Sequence, residues 1–470
     1  MKSEKSIYCD ICTHLDSAEI HYHHSRISHT TSQRLACTSS VEFKTGASDA
    51  QQPSSEMQHG QTFHSAMRPI LLLYQVIGVF PVYGITRKDP QDLRFRWLTL
   101  RALFSVTIML IGLVMSVVEY ERLTRVGGVN TQSIIGILFY MDTVLSIMLL
   151  VMIAQRWKQL VVKFGEIHEV FVVGSSGGEG KKGIHLPIRA TACTLLVNCI
   201  VLHVISKAAD MVNQYREAKF CGWIVDNFPH YYATRNYSFV LKHVPYNILI
   251  VLFFEYLDVA LKLAWACHDL MIILTSIGIS FYFHEIYEKV QIFGNGIMIA
   301  NEKFWIEIRF QYVLLCEFVK EANSHLALII VHSCCKNLYL MCYELIKIVR
   351  KEQSTASRIH HWCSLIYLII KTTMVFRNAA MIYETAKAPL VVCRSIPNKG
   401  WCSELERYIA QLRSDKVAYS GIGFFRLTKR TMLAMVGLVV SYQLVMLKVA
   451  KDTKGIGAVV PCSRLAFSRD

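Results

Sequence analysis

The chain has 470 residues, of which 53% are hydrophobic and only 18% charged, and it carries a formal net charge of +15. A soluble domain sits near half apolar and a quarter charged, so the balance leans toward the membrane and away from a soluble enzyme. The basic excess is a topology signal first, and no compact basic patch interleaved with aromatics stands outside the apolar runs, which sets nucleic-acid binding aside.

Residues 1–65 are rich in Ser, Thr, His, Gln and Lys and lack periodic hydrophobicity, which predicts a disordered N-terminal tail with no early apolar run of signal-peptide type. Cys9-Asp-Ile-Cys12 with His14, His21, His23 and His24 has a metal-like look, but no second pair at ligand spacing follows, so no metal site is assigned. The fifteen cysteines are odd in number. Cys193, Cys199, Cys267, Cys316, Cys334, Cys335 and Cys342 all lie inside apolar runs, as small core residues do, rather than in a disulfide scaffold. Residues 66–96 are an amphipathic segment ahead of the first span. Within it 68–85 is apolar but broken by Pro81 and Gly84, which suits a membrane-surface or partly inserted piece.

Crossing a bilayer takes ~20 apolar residues per helix. The runs that qualify are 97–118, 131–154, 186–207, 244–281, 327–348, 361–385 and 431–450. The fourth is too long for one crossing, yet only Gly278 interrupts it, so it is read as one tilted helix. The expectation is therefore an all-α polytopic membrane protein with seven transmembrane helices, the first six within 97–385. Arg and Lys crowd the approach to span one (Arg87, Lys88, Arg94, Arg96), the 155–185 loop and the 386–430 segment. This places the N-terminus in the cytoplasm and the C-terminus outside. The short loop holding Lys347, Arg350, Lys351 and Arg358 runs against that assignment.

The same orientation is opposite to that of G-protein-coupled receptors. Glu406-Arg407-Tyr408 resembles one of their short motifs, but it precedes span seven, so it is read as a solvated helical face. No phosphate-cradling loop, HExxH or nucleophile elbow is present, and Gly174–Gly180 is a loop linker, so neither an enzyme nor a cofactor is expected. A transporter is also disfavoured, because no internal repeat or paired broken helix stands out.

Several segments carry a family likeness. They are PILLLYQVIGVFPVYGI with the following DPQDLRFRWLTLR (89–101), Trp265-Ala-Cys-His-Asp269-Leu270 in span four, Asn337-Leu338-Tyr339 in span five, the whole of 387–430, and span seven ending from Ser441-Tyr442. In combination these resemble the insect gustatory receptors, sugar-receptor branch, over most of 66–449. The resemblance implies a sweet-taste receptor subunit in the plasma membrane, a ligand-gated cation channel opened by sugars. It also implies a homo- or hetero-tetramer with other gustatory subunits, anchored by the cytoplasmic 386–430 segment and lined on its axis by span seven. Trp265, Asp269, Asn337, Tyr339 and Tyr442 would be structural motif residues.

Ser441, Val445 and Lys448 are spaced by four and three and share one helix face. With Val449 they form the pore and gate that the resemblance implies. Here the chain departs from its relatives, having Lys448 where they have Gln and Val449 where they have Phe. Four lysines around a narrow axis oppose cations. Residues 451–470 continue as an atypical polar tail where relatives end, which suggests translation of an unspliced intron from Lys448 onward. These departures favour, as the alternative, a non-conducting or auxiliary subunit; a metabotropic heptahelical receptor is the third reading.

Sugars need aromatic faces and polar groups for their hydroxyls. The outward halves of spans three to six offer Glu255 and Asp258, which share a face, together with Tyr343, Glu344 and Trp362. Acids within a span mark function by default. Their other use is an ion pair with Lys262 or Lys347, and Trp362 also suits an interfacial belt. Asp269 lies deeper and supports packing or gating.

Overall fold

The computed structural model describes residues 62–125, 131–173, 183–220, 228–241, 244–294, 300–349 and 355–452. The tail to residue 61 with its Cys9/Cys12 cluster, the Gly174–Gly180 linker and the tail beyond 452 lie outside the described residues.

Helix α1 spans Phe63–Ile77, so helix begins three residues before the expected tail boundary. Thr62 caps it, its hydroxyl accepting from the Ser65 amide at 3.4 Å. Gly78 closes it at φ 82°, in the left-handed region. The site demands glycine twice over, since a Cβ there would stand 2.4 Å from the Phe104 ring. A short hairpin follows, β1 (Val82–Tyr83) pairing antiparallel with β2 (Arg94–Phe95).

The long apolar runs become long helices: α2 (Leu100–Arg125), α3 (Thr131–Val173) and α4 (His185–Phe220). After the short α5 (Phe228–Asn236) and α6 (Ser238–Leu241) come α7 (Ile248–Gly294), α8 (Glu302–Val349) and α9 (Thr355–Lys387). Within the described residues, five segments are long and apolar enough to cross a membrane: Leu100–Glu121, Gly136–Val172, His185–Arg216, Glu302–Ile348 and Ser357–Arg394. Each overlaps one of the expected spans. The fourth expected span is the unbroken 47-residue α7, which does not break at Gly278. Instead a Cβ on Gly278 would meet the rings of Phe164 and Phe63 at 3.0 and 3.1 Å, so the missing side chain makes room for that stacked pair.

Helix α7 is the hub, packing against α1, α3, α4, α8 and α9. Its residues 266–276 are all buried, whereas Leu110, Val114, Val201 and Ile369 stay exposed on the outer helices, as lipid-facing residues do. One face of α1 (Phe63, Met67, Ile70, Leu71, Tyr74) is buried against this hub. The Tyr74 hydroxyl donates to the Cys267 carbonyl at 3.5 Å. Every cysteine described is free; Cys267, Cys316 and Cys334 are buried, and Cys193 and Cys335 are exposed.

Beyond α9 lie α10 (Pro389–Arg394), α11 (Ser403–Ser414) and a second hairpin, β3 (Ser420–Gly421) with β4 (Phe425–Arg426). Both α11 and β3 pack on α8. Glu404 accepts from Arg309 at 2.8 Å and from Arg407 at 2.6 Å. The reading of Glu406-Arg407-Tyr408 as a solvated face is corrected in part. Glu406 and Arg407 are exposed, but Tyr408 is fully buried, its ring edge-on to Tyr312 at 5.5 Å. α11 is amphipathic, and Leu405, Tyr408, Ile409 and Leu412 form its inner stripe. The last helix, α12 (Lys429–Asp452), packs against α8 and α9.

Candidate functional site

Two polar layers lie inside this bundle. The first is at the end where α4 and α8 finish and α7 and α9 begin. Glu255 and Asp258 sit one turn apart on α7 and face α4, where Lys207 Nζ bridges them at 2.8 and 2.9 Å. Lys262, a further turn along α7, also reaches Asp258 at 3.0 Å. Glu255 accepts from the hydroxyls of Tyr237 at 2.6 Å and Tyr232 at 3.2 Å, so α5 and the residue after it close over the acid. These carboxylates are about a quarter exposed, 27% and 24%, which keeps them reachable from solvent.

Glu344 on α8 is 7% exposed and accepts from His361 Nδ1 at 2.7 Å and the Ser364 hydroxyl at 2.8 Å, both on α9. The Lys347 ammonium stands 5.4 Å over the Tyr343 ring. Trp362 adjoins His361 in sequence but remains 50% exposed. The ion pair of Asp258 with Lys262, the other use considered for this acid, is present beside the bridge from Lys207. His203, Lys207 and Asp210 were not singled out from the sequence. Their spacing of four and three inside an apolar run was the available signal. Tyr232 and Tyr237 carried no such signal, because their segment has no periodicity pointing at Glu255.

The second layer is deeper. Asp269 is 1% exposed, with Lys371 at 2.6 Å, Lys336 at 3.8 Å, the Ser333 hydroxyl donating to it and Asn337 Nδ2 donating at 3.2 Å. Two ammoniums from α8 and α9 thus converge on one carboxylate from α7. Lys336 also donates to the Trp265 carbonyl at 2.8 Å, and the Trp265 ring lies edge-on to Phe139 at 4.8 Å. Of the other motif residues, Asn337 is buried, while Tyr339 and Tyr442 are 37% and 40% exposed.

Beside this layer runs a histidine chain. His268 Nε2 donates to the Ser146 carbonyl at 2.8 Å, so in the neutral ring Nδ1 is an acceptor for His332 Nδ1–H at 3.1 Å. His332 Nε2 then faces Asp142 Oδ1 at 2.9 Å with one proton between them. The chain links α3, α7 and α8.

On α12, Ser441 is exposed and its hydroxyl donates to the Gly437 carbonyl at 2.9 Å. The side chains of Val445, Lys448 and Val449 lie outside the described residues.

The trehalose receptor family matches residues 30–459. The chain is 27% identical over 403 residues to the gustatory receptor for sugar taste 64a of Drosophila melanogaster, covering 85% of this chain and 87% of that one. It is 25% identical to the gustatory receptor for sugar taste 61a, over 85% and 92%, and 24% identical to gustatory receptor 5a for trehalose, over 84% and 87%, both from the same fly. Its fold matches the insect olfactory receptor OR5 from Machilis hrabei, solved in complex with eugenol, with a TM-score of 0.55 at 12% identity over 82% of this chain and 99% of that one. A multi-pass helical bundle, polar layers within it and a family match over nearly its whole length agree: the chain belongs to the trehalose receptor family of insect gustatory receptors, a family of receptors and not of enzymes.

Proposed function

We propose that this chain is a taste receptor subunit that opens a cation pathway when a sugar enters the cluster around Glu255 and Asp258. It crosses the plasma membrane seven times, with α7 and α12 as the fourth and seventh crossings, the N-terminus cytoplasmic and the C-terminus outside. The observation that carries this reading is the half-open group of Glu255, Asp258, Lys207, Tyr232 and Tyr237 on α4, α5 and α7. It offers a hydroxyl-rich ligand carboxylate acceptors, an ammonium donor and phenol faces in one cleft. Tyr343, Glu344 and Trp362 are assigned to the same ligand. Relatives named for sugar taste and for trehalose support the ligand class. Four copies surround the pore as a homo- or hetero-tetramer, with Ser441, Val445, Lys448 and Val449 along its wall. The Asp269 layer, tied through Trp265 and Asn337, holds α7, α8 and α9 in register below the ligand.

Lys448 supports a second reading, a non-conducting or auxiliary subunit, because a ring of ammoniums opposes cations. The test is whole-cell current under a panel of sugars, from the natural chain and from Lys448→Gln/Val449→Phe ending at that point. Sugar-evoked current from both establishes the channel. Current from the altered chain alone makes the natural C-terminus a silencing device, and silence from both with surface expression rejects a sugar-gated homomer and leaves an obligate partner subunit or a ligand outside the sugars. An epitope at residue 470 that stains intact cells excludes the metabotropic orientation.

A further inference from the structure

The ligand reading leaves one buried polar group unused, the histidine chain, which begins and ends on α3. Asp142 and Ser146 lie one turn apart on that helix, and His268 from α7 and His332 from α8 stand between them. From the Ser146 carbonyl to His268 Nε2 is 2.8 Å, between the two Nδ1 atoms 3.1 Å, and from His332 Nε2 to Asp142 Oδ1 2.9 Å. All three are hydrogen-bond lengths, and the rings meet edge-on at 77°. The chain is thus a clasp that closes α3 onto α7 and α8.

Each link of the clasp needs one hydrogen, so three are needed. A neutral imidazole carries a single N–H, on one nitrogen or the other, and the two rings supply two. The Ser146 carbonyl and an ionised Asp142 supply none. Whichever tautomers the rings adopt, one link then sets lone pair against lone pair. His268 and His332 are 0% and 8% exposed, and an unsatisfied group buried so deeply carries its full desolvation penalty. The second oxygen of Asp142 is buried with no hydrogen-bond partner among the described residues, so it is His332 that compensates this acid.

A cation between the two Nδ1 atoms satisfies all three links, and the proton is the cation that fits. A metal ion needs at least a third donor, and among the described residues no group of three or more His, Cys, Asp or Glu could hold one. The other charged and titratable groups that act on the clasp come from each helix around it. Lys336 on α8 and Asp269 on α7 act on His268, Lys371 on α9 acts through Lys336, and the Tyr339 phenol on α8 acts on Asp142.

We propose that Asp142, His332 and His268 form a binding site for a single proton, which ties α3 to α7 and α8 when bound and breaks one of the three links when lost. The proton sits either on His332, as an imidazolium facing the carboxylate, or on Asp142 facing a neutral ring, and it titrates as a property of the whole clasp. Asp142→Asn supplies the third hydrogen covalently. The amide donates to His332 Nε2, His332 Nδ1 donates to His268 Nδ1, and His268 Nε2 donates to the Ser146 carbonyl, all with neutral rings. In the unfolded chain the aspartate is ionised above about pH 5, and the histidines titrate near 6.5 alike in parent and variant. The one proton by which the two chains differ is then the one in the folded clasp. Relative to the variant, the parent's stability is therefore full at the acid end and is lost as the pH rises through the titration of the clasp.

The test reads the melting temperature of the full solubilised chain between about pH 5 and 9, for the parent, Asp142→Asn and Asp142→Ala. The expected result is that the parent and Asp142→Asn melt together at the acid end, and that the parent melts several degrees lower at the alkaline end. Titration elsewhere cancels in that difference. Asp142→Ala should run parallel to Asp142→Asn but below it throughout, because His332 Nε2 is left without a donor. Parallel profiles for the parent and Asp142→Asn, or an amide variant that never melts above the parent, overturn the proton site. An alanine variant equal to the amide also overturns it, since the gain would then come from removing a buried charge rather than from supplying a hydrogen. A variant that fails to fold at every pH counts against it too, because an amide that completes the clasp cannot cost the fold. A rise in melting temperature on adding zinc that His332→Gln abolishes makes the ligand a metal ion and overturns the proton as the occupant.

Discussion

Asp269→Asn should be the most damaging conservative substitution in the chain. The change removes one charge without altering volume, and it leaves Lys336 and Lys371, whose side chains are 1% and 6% exposed, facing each other with no acid between them. Breaking a buried pair by deleting one partner costs about 3–5 kcal/mol, because the remaining charge is uncompensated. At roughly 2 °C per kcal/mol for a long chain, the melting temperature should fall by about 6–10 °C. Fluorescence-detected size exclusion after heating the solubilised chain measures this. Lys371→Met alone should cost less, since Asp269 keeps Lys336, Ser333 and Asn337. Asp269→Asn/Lys371→Met should recover part of the loss, because only one buried cation remains. A chain in which Asp269→Asn melts with the parent, or in which Lys371→Met is the worse of the two, refutes the charge argument.

Glu255→Gln should weaken sugar responses about tenfold, equivalent to 1.4 kcal/mol, with surface expression retained, as read from dose–response curves. Loss of expression instead would make Glu255 a structural residue. Gly278→Leu should eject Phe63 and Phe164 from their stack on α7, at about 1–3 kcal/mol for an overpacked core, and expose α1 to limited proteolysis. Burial opposes the charge on Glu404, but hydrogen bonds from Arg309 and Arg407 outweigh it and hold its pKa below the ordinary 4.5. Its stabilisation is therefore present above that value and lost as the pH falls through the lowered one, so the acid limb of a melting-temperature profile should be shallower in Glu404→Gln. Ser441→Cys should react with a charged thiol reagent faster in the presence of sugar if α12 lines the pore; equal rates with and without sugar count against that wall.

The long helices were legible because lipid imposes a length and a composition, and every apolar run became one. The unbroken α7 was legible too, since one glycine does not stop a helix whose neighbours bury it. What escaped was pairing across helices. Sequence spacing puts Glu255 beside Asp258, but nothing local says that Lys207 bridges them from α4 or that His361 meets Glu344 from α9. The short loops fared worst, as the tyrosines of the α5 region reach Glu255 only through tertiary placement. Tyr408 shows the same limit from the other side. It reads as polar surface beside Glu406 and Arg407, yet one step around the helix turns it inward onto Tyr312.

The seating of α1 has a consequence for how the protein is made. Its partners are Phe164 on α3, the Cys267 carbonyl, 193 residues beyond Tyr74, and the gap at Gly278. This helix leaves the ribosome with no complete resting place until the fourth long apolar helix after it has been inserted. Through that interval its apolar face (Phe63, Met67, Ile70, Leu71, Tyr74) must be shielded by the membrane surface or by a chaperone, and docking it is one of the last steps of biogenesis rather than the first.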